Sequence, residues 1–170
     1  PNQEIEIDLP PIDDYNIGDI ELSFIIESLE DINEVDYHNN RRMVRFKHKP
    51  TFNLPYNENF ENGINYANWN IINTDFSRTW ESIQTSGIEN SDSSIYVNIF
   101  GYNPRDGQKD EIISPSINLT GDSILLNFFT SYQKYTNSIK QDTLQILISN
   151  NCGISFEDTV YNKGGEELNT

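Results

Sequence analysis

Alternation of apolar and polar residues is the main pattern along this chain. Ile5, Ile7 and Leu9 alternate with acidic residues, and residues 20–26 alternate in the same way apart from Ile25. Side chains that alternate with a period of two point to opposite faces of a strand, so each stretch predicts a strand with one buried face. No stretch shows the 3.6-residue period of an amphipathic helix. The pattern therefore predicts an all-β fold.

Residues 41–49 (RRMVRFKHK) hold five of the eleven basic residues of the chain. One interpretation is a site for an anion or a polyacid. The other is an edge strand in which Val44 and Phe46 are flanked by exposed cations that face acidic loops. We favour the edge strand, because Lys and Arg on an edge resist pairing with other sheets.

Two prolines, Pro50 and Pro55, predict a boundary, since proline interrupts strand pairing. Short segments separated by Asn, Asp, Ser and Gly follow, as in a sandwich or barrel. Residues 124–129 (ILLNFF) carry apolar side chains on both alternating sets of positions, so both faces of a strand here would be apolar. This pattern predicts a central strand covered on both faces. The strand candidates after the boundary are residues 54–60, 69–73, 79–83, 95–100, 111–117, 123–130, 143–149 and 158–161.

Composition narrows the possible partners of the chain. With 170 residues and 12% aromatic residues it can build a folded core, and its formal net charge of -16 disfavours nucleic acid and anionic lipid. No apolar run reaches the roughly 20 residues of a membrane span, so we expect no membrane insertion. The sequence starts at Pro1 without a signal peptide, and we expect that a preceding segment has been removed.

Candidate catalytic groups are few. The histidines are His38 and His48, both before the boundary, and the single cysteine is Cys152. This pattern disfavours a Cys-His or Ser-His-Asp mechanism, and we interpret Cys152 as a packed apolar residue. No P-loop or G-x-G-x-x-G pattern occurs. Carboxylate pairs such as those at 58/61 and 110/111 leave a glycosidase as a minor alternative.

The acidic loops suggest a hard cation. Calcium takes about six to eight oxygen ligands from carboxylates, Asn side chains and carbonyl groups. Ordinary solvated acids are an equally good interpretation of the spacing, because no EF-hand pattern is present. The candidate ligands are Glu58, Glu61, Asn62, Asp75 and Asp110.

Several aromatic rings could stack on sugars, which would make the chain a carbohydrate-binding module. For the two tryptophans we favour a place in the core, because both lie in strand-like segments. The candidate rings are Tyr66, Trp69, Trp80, Tyr96 and Tyr102.

From residue 54 onward the sequence resembles the choice-of-anchor J and cleaved-adhesin modules of secreted Bacteroidota proteins, which are relatives of the MAM-type jelly roll. The first fifty residues resemble the later half of a CARDB-type, immunoglobulin-like domain. The stretches that carry the first resemblance are 54–63 (LPYNENFENG), 69–73 (WNIIN), 79–81 (TWE), 110–119 (DEIISPSINL), 142–144 (DTL) and 149–153 (SNNCG).

The resemblance implies a domain organisation. Residues 1–49 would be the end of an immunoglobulin-like sandwich, 50–54 a linker, and 55–170 a jelly-roll β-sandwich that lacks its final strands. Those strands would come from the rest of the same chain or from another chain. The same order of modules occurs in large adhesins and after the catalytic domain of pappalysin-like secreted metallopeptidases.

The resemblance also implies export by type IX secretion to the outside of the cell or the outer-membrane surface. It suggests structural calcium, with Glu58, Glu61, Asp75 and Asp110 as ligands. Bacteroidota O-glycosylate exported proteins at Asp-Ser/Thr followed by an apolar residue, which makes Ser123, Thr143 and Thr159 candidates.

We therefore expect a non-catalytic accessory module of a larger secreted protein, with a protein or glycan ligand on a cell surface or matrix. The alternatives are a carbohydrate-binding module, a segment of a secreted zinc metallopeptidase, and an export substrate bound to its transport machinery.

Overall fold

The computed structural model describes residues 6–9, 17–27, 37–85, 91–101, 107–121, 123–136 and 141–170. The chain divides into two compact units, Pro1–Pro50 and Thr51–Thr170. The described residues form strands and three short 3₁₀ turns, Tyr37–Asn40, Ile99–Gly101 and Gly165–Glu167, and no α-helix. The all-β prediction is confirmed. Within these ranges, no helix has the length and apolar character to cross a membrane.

The first unit contains an antiparallel pair, β1 (Gly18–Ile25) and β2 (Arg41–His48). Its register pairs Gly18 with His48 and Ile25 with Arg41. Both strands were predicted from alternation and from the basic run. Residues 6–9, the described part of the first alternating stretch, are not in a strand.

The register gives this pair two different faces, because opposed residues share a face. On one face Glu21 accepts a hydrogen bond from Nε of Arg45 at 2.8 Å, and Ser23 Oγ accepts one from Nε of Arg41 at 3.0 Å. Arg41 and Arg45 of β2 therefore face partners on the neighbouring strand β1, whereas the edge-strand interpretation placed acidic loops opposite the cations. The other face is mostly apolar and carries Arg42 and His48 together with Ile20, Leu22, Phe24, Val44 and Phe46.

The described part of the second unit contains eight short strands in four pairs. Three pairs are antiparallel, β4 with β7, β5 with β6 and β9 with β10, while β3 and β8 are parallel. The strands are β3 (Thr51–Asn53), β4 (Asn70–Asn73), β5 (Trp80–Gln84), β6 (Ser93–Val97), β7 (Asp110–Ile113), β8 (Ser116–Asn118), β9 (Thr143–Ile148) and β10 (Asp158–Gly164).

Proline divides one predicted strand into two. Residues 111–117 form β7 and β8, which pair with different partners, and the buried Pro115 lies between them. Proline has no N–H to donate to a ladder, so a single continuous strand is disfavoured there.

The start of the second unit differs from the prediction. Residues 51–53 of the predicted linker form β3, whereas residues 54–60 form no strand. Phe60 N donates to Glu58 Oε1 at 3.1 Å and Glu61 N donates to Asn59 Oδ1 at 3.2 Å. Polar side chains thus take up backbone donors that a strand would use in its ladder.

The central strand predicted at residues 123–130 is also wrong. This segment is outside any strand, and its apolar side chains are exposed: Leu125 by 82%, Phe129 by 68% and Leu126 by 57%. Two-sided apolar character indicates a strand only when neighbouring strands cover both faces. Within the described residues, no strand pairs with this segment.

The buried core of the described residues is small. Ile64, Tyr132 and Leu168 are its most buried apolar side chains. Tyr132 N donates to Thr170 Oγ1 at 3.1 Å, and Thr170 N donates to Tyr132 O at 3.0 Å. Lys134 N donates to Asn169 Oδ1 at 3.1 Å. These bonds fix the last residues of the chain against residues 131–134.

Candidate functional site

Glu58 lies at the centre of an aromatic cluster in the loop after β3. Its Oε2 accepts hydrogen bonds from the Tyr56 hydroxyl at 3.3 Å and the Trp69 indole N–H at 3.2 Å. The Trp69 ring packs on Phe60 with centroids 5.2 Å apart. Burial raises the pKa of Tyr56, and the nearby Glu58 charge raises it further. Glu58 thus acts as an acceptor that orders this loop.

Glu61 joins two segments that are distant in sequence. Its Oε1 accepts hydrogen bonds from Ser91 Oγ at 2.5 Å, Asp92 N at 2.9 Å and Ser93 N at 3.3 Å. The bond from Ser91, together with the two backbone N–H groups, lowers the pKa of Glu61. This carboxylate therefore fixes the start of β6 to the loop before β4.

Asp75 and Asp110 lie near the end of the β4 and β7 pair. Asp110 is opposite Asn73 in the register, and its carbonyl oxygen accepts a bond from the Trp80 indole N–H at 3.0 Å. Two neutral oxygens in this region, Asn73 Oδ1 and Thr79 Oγ1, are buried without a hydrogen-bond partner. Oxygens of this type suit a hard cation.

The predicted metal ligands do not form one cluster. Within the described ranges, no three His, Cys, Asp or Glu side chains form a group that could hold a metal ion. The carboxylates of Glu58 and Glu61 already accept hydrogen bonds from different parts of the second unit. Asn62 is exposed. Calcium binding stays a prediction.

The aromatic candidates are dispersed. Trp69 and Trp80 are half-buried, and each indole N–H is hydrogen-bonded, so neither ring is fully in the core. Tyr66 is 64% exposed and Tyr96 is half-buried. Tyr102 lies outside the described residues.

One strongly exposed aromatic ring is not among the rings that the sequence predicts as a site. Phe76, in the loop between β4 and β5, is 94% exposed and has a positive φ of 56°. The run Asn73-Thr74-Asp75 before it is typical of a turn, but an apolar residue within a turn gives no sign of its exposure.

The glycosylation candidates have different surroundings. Ser123 is exposed and outside any strand, Thr143 is exposed at the first residue of β9, and Thr159 is exposed beside the irregularity in β10. Asp142, which precedes Thr143, accepts a hydrogen bond from the Tyr132 hydroxyl at 3.1 Å. All three hydroxyl-bearing residues are exposed, and modification of any of them stays a prediction.

Cys152 is exposed and has a positive φ of 60°, so its interpretation as a packed apolar residue is wrong. The hydrogen bond from Gly153 N to Ser149 Oγ, at 2.8 Å, closes the loop around it. Polar bonds of the loop backbone, and not burial of the thiol, determine its position.

Comparison with protein-family models, with curated proteins and with solved structures finds no match to this chain.

Proposed function

We propose that this chain is a non-catalytic binding module of a larger secreted or cell-surface protein, and that it attaches this protein to a protein or glycan partner. The observation that supports the proposal most is the apolar segment, residues 123–130. Contiguous apolar surface on a soluble domain is usually a site of interaction.

Strand addition is the binding mode that this surface favours. Phe128 contacts Tyr161 of β10 edge-on, with ring centroids 5.0 Å apart, while Leu125 and Phe129 stay in solvent. A partner strand would supply backbone hydrogen bonds and would cover the alternate side chains. In this proposal the strand comes from a protein partner.

Calcium has a structural role in the proposal. It would be held by Asp110 and Asp75 together with the side-chain oxygens of Asn73 and Thr79, and it would stabilise the loop that joins β4 to β5. The apolar segment does not depend on it.

A double substitution tests the proposal. Leu125→Ser combined with Phe129→Ser should weaken binding at least about tenfold, because it removes the two most exposed side chains of the apolar segment. The matched control is Ile154→Ser, which changes an equally exposed apolar residue in another loop (85%). Binding is measured by biolayer interferometry against extracellular matrix proteins, surface glycans and the other segments of the parent protein.

Two outcomes would count against this role. The first is that no member of the panel binds saturably. The second is that the double variant and the control variant bind as the unchanged chain does.

A further inference from the structure

Strand β2 concentrates positive charge in an acidic chain. The formal net charge of the chain is -16, yet the pair of β1 and β2 holds four Lys or Arg side chains and two carboxylates. Every β2 residue before His48 is exposed. Among the described residues, β2 pairs with β1 alone, so its other edge, called here the free edge, presents backbone groups that can extend the sheet.

The side chains of β2 alternate along the free edge. Arg45 and Lys47 lie on one face of the strand, and Val44 and Phe46 lie on the other. The Nε of Arg45 donates to Glu21, but the Arg45 side chain stays 76% exposed. A guanidinium has five N–H groups, so Arg45 can bind a second carboxylate. A strand added at this edge would therefore meet cations on one face and apolar side chains on the other.

A segment with the complementary pattern lies near the start of the chain. Residues 6–9 (EIDL) alternate acidic and apolar side chains, and the same alternation starts at residue 4. These four residues are outside any strand, with Ile7 75% and Leu9 58% exposed. Such alternation is typical of a strand with one apolar face, and a strand needs a partner for its backbone hydrogen bonds.

We propose that residues 6–9 add as an antiparallel strand to the free edge of β2 in a second copy of this chain. Both stretches are exposed within one chain, which leaves each of them available to the other copy. Two-fold symmetry makes the exchange reciprocal, so the dimer gains two added strands. One register satisfies both faces: it places Glu6 opposite Lys47, Ile7 opposite Phe46, Asp8 opposite Arg45, and Leu9 opposite Val44.

Charge favours this occupant over an ordinary strand. Lys and Arg on an edge discourage pairing, and a basic strand would place like charges opposite each other. Acidic residues opposite Arg45 and Lys47 remove this obstacle, while apolar residues beside Val44 and Phe46 cover side chains that are 43% and 42% exposed. The addition also converts a two-stranded sheet, which is marginally stable by itself, into a three-stranded one. The proposed function, which uses residues 123–130, does not depend on this interface.

Sedimentation velocity of the full chain tests the proposal over about 10–500 µM, because an interface of a few residues is weak. The salt is about 0.15 M, which screens the repulsion between two acidic chains beyond about 8 Å. The unchanged chain should sediment as a monomer at the lowest concentration and increasingly as a dimer above it. Glu6→Lys and Lys47→Glu should each weaken the dimer at least about fivefold, since each puts like charges opposite each other at two places in the dimer.

An equimolar mixture of Glu6→Lys and Lys47→Glu chains should restore the dimer, because each substituted position then meets an opposite charge on the other chain. Glu157→Lys is the matched control, since it makes the same charge change at an exposed residue of the second unit. It should neither weaken the dimer nor restore it when mixed with Lys47→Glu. Ile7→Ser should also weaken the dimer, whereas Ile154→Ser, at a residue that is 85% exposed, should not.

The inference is overturned if the unchanged chain is monomeric at every concentration, which would leave the free edge to another protein or to residues 6–9 of the same chain. It is also overturned if the mixture associates no better than its two components, or if Glu157→Lys weakens the dimer as much as Glu6→Lys does. Association that is lost in the Leu125→Ser and Phe129→Ser double variant, but kept in Glu6→Lys, would assign the dimer to the apolar segment and overturn it as well. An unchanged melting temperature of Glu6→Lys would show that lost association does not reflect unfolding.

Discussion

Replacing Leu168 by alanine should destabilise the second unit strongly, although the residue lies only two positions before Thr170. Leu168 is only 5% exposed, so the change removes three buried carbon atoms. At about 0.8 kcal/mol for each buried methylene, the transfer term is about 2.4 kcal/mol, and the cavity raises the loss to about 2.5–4 kcal/mol. This is a large part of the usual stability of a domain, about 5–15 kcal/mol.

Urea unfolding followed by tryptophan fluorescence measures this loss. With a slope of about 2 kcal/mol per molar urea, the middle of the usual range, the midpoint should fall by about 1–2 M. Ile154→Ala, at a residue that is 85% exposed, should stay within about 0.5 kcal/mol of the unchanged chain. Leu168→Met, which nearly conserves volume, should cost less than about 1.5 kcal/mol. If Leu168→Ala costs no more than Ile154→Ala, the docking of the final residues on residues 131–134 is wrong.

Four further predictions concern the second unit. Gly165→Ala should lower the free energy of unfolding in urea by about 1 kcal/mol or more, because φ is +55° at this residue and an added Cβ would overlap a neighbouring glutamine. An unchanged urea midpoint would contradict this prediction. Hydrogen bonds lower the pKa of Glu61 in the folded chain. The stability that Glu61 contributes to the fold is therefore present above its unfolded pKa of about 4.3 and is lost as the pH falls through the folded pKa. Glu61→Gln should therefore reduce the dependence of melting temperature on acid pH, and parallel curves would refute the assignment. Burial raises the pKa of Tyr132, so the stability that this residue contributes to the fold is present below its unfolded pKa of about 10 and is lost as the pH rises through the folded pKa. Tyr132→Phe should therefore make the melting temperature less dependent on pH in the alkaline range. An unchanged alkaline dependence would argue against this role of Tyr132. Calcium should raise the melting temperature, and a chelator should reverse this rise. The rise should be lost in Asp110→Asn and kept in Glu58→Gln. If a chelator leaves the melting temperature unchanged, the chain does not bind the ion.

Local pattern was enough to predict several elements of the fold. Strands β4, β5 and β9 lie within about a residue of the predicted segments 69–73, 79–83 and 143–149. Their side chains alternate between the two faces of a short ladder, and that information is present in neighbouring residues. The strand predicted at residues 123–130 is wrong, because an apolar run forms a strand only if neighbouring strands cover it. The residues of the run do not show whether such strands are present.

The contacts of the candidate site join residues that are far apart in the sequence or are set by the closure of a turn. Glu61 binds residues 91–93, thirty positions away, so its role as a link could not be predicted from the acids beside it. The prominence of Phe76 arises from the turn that two side-chain hydrogen bonds close around it. Phenylalanine is usually buried, so composition indicated the opposite environment for this residue.

The parallel pairing of β3 with β8 has a consequence for how the second unit assembles. Thr51 meets Ser116 and Asn53 meets Asn118, so the first strand of the unit has no partner until about 65 more residues are available. Contacts of such high sequence separation slow folding, since the chain must close a long loop before the pairing stabilises it. When the chain emerges in order from its N-terminus, β3 has no partner at first. By contrast, β5 and β6 are separated by only a short stretch of sequence and can already pair. We therefore expect the pairing of β3 with β8 to form after the local pairs β5–β6 and β9–β10.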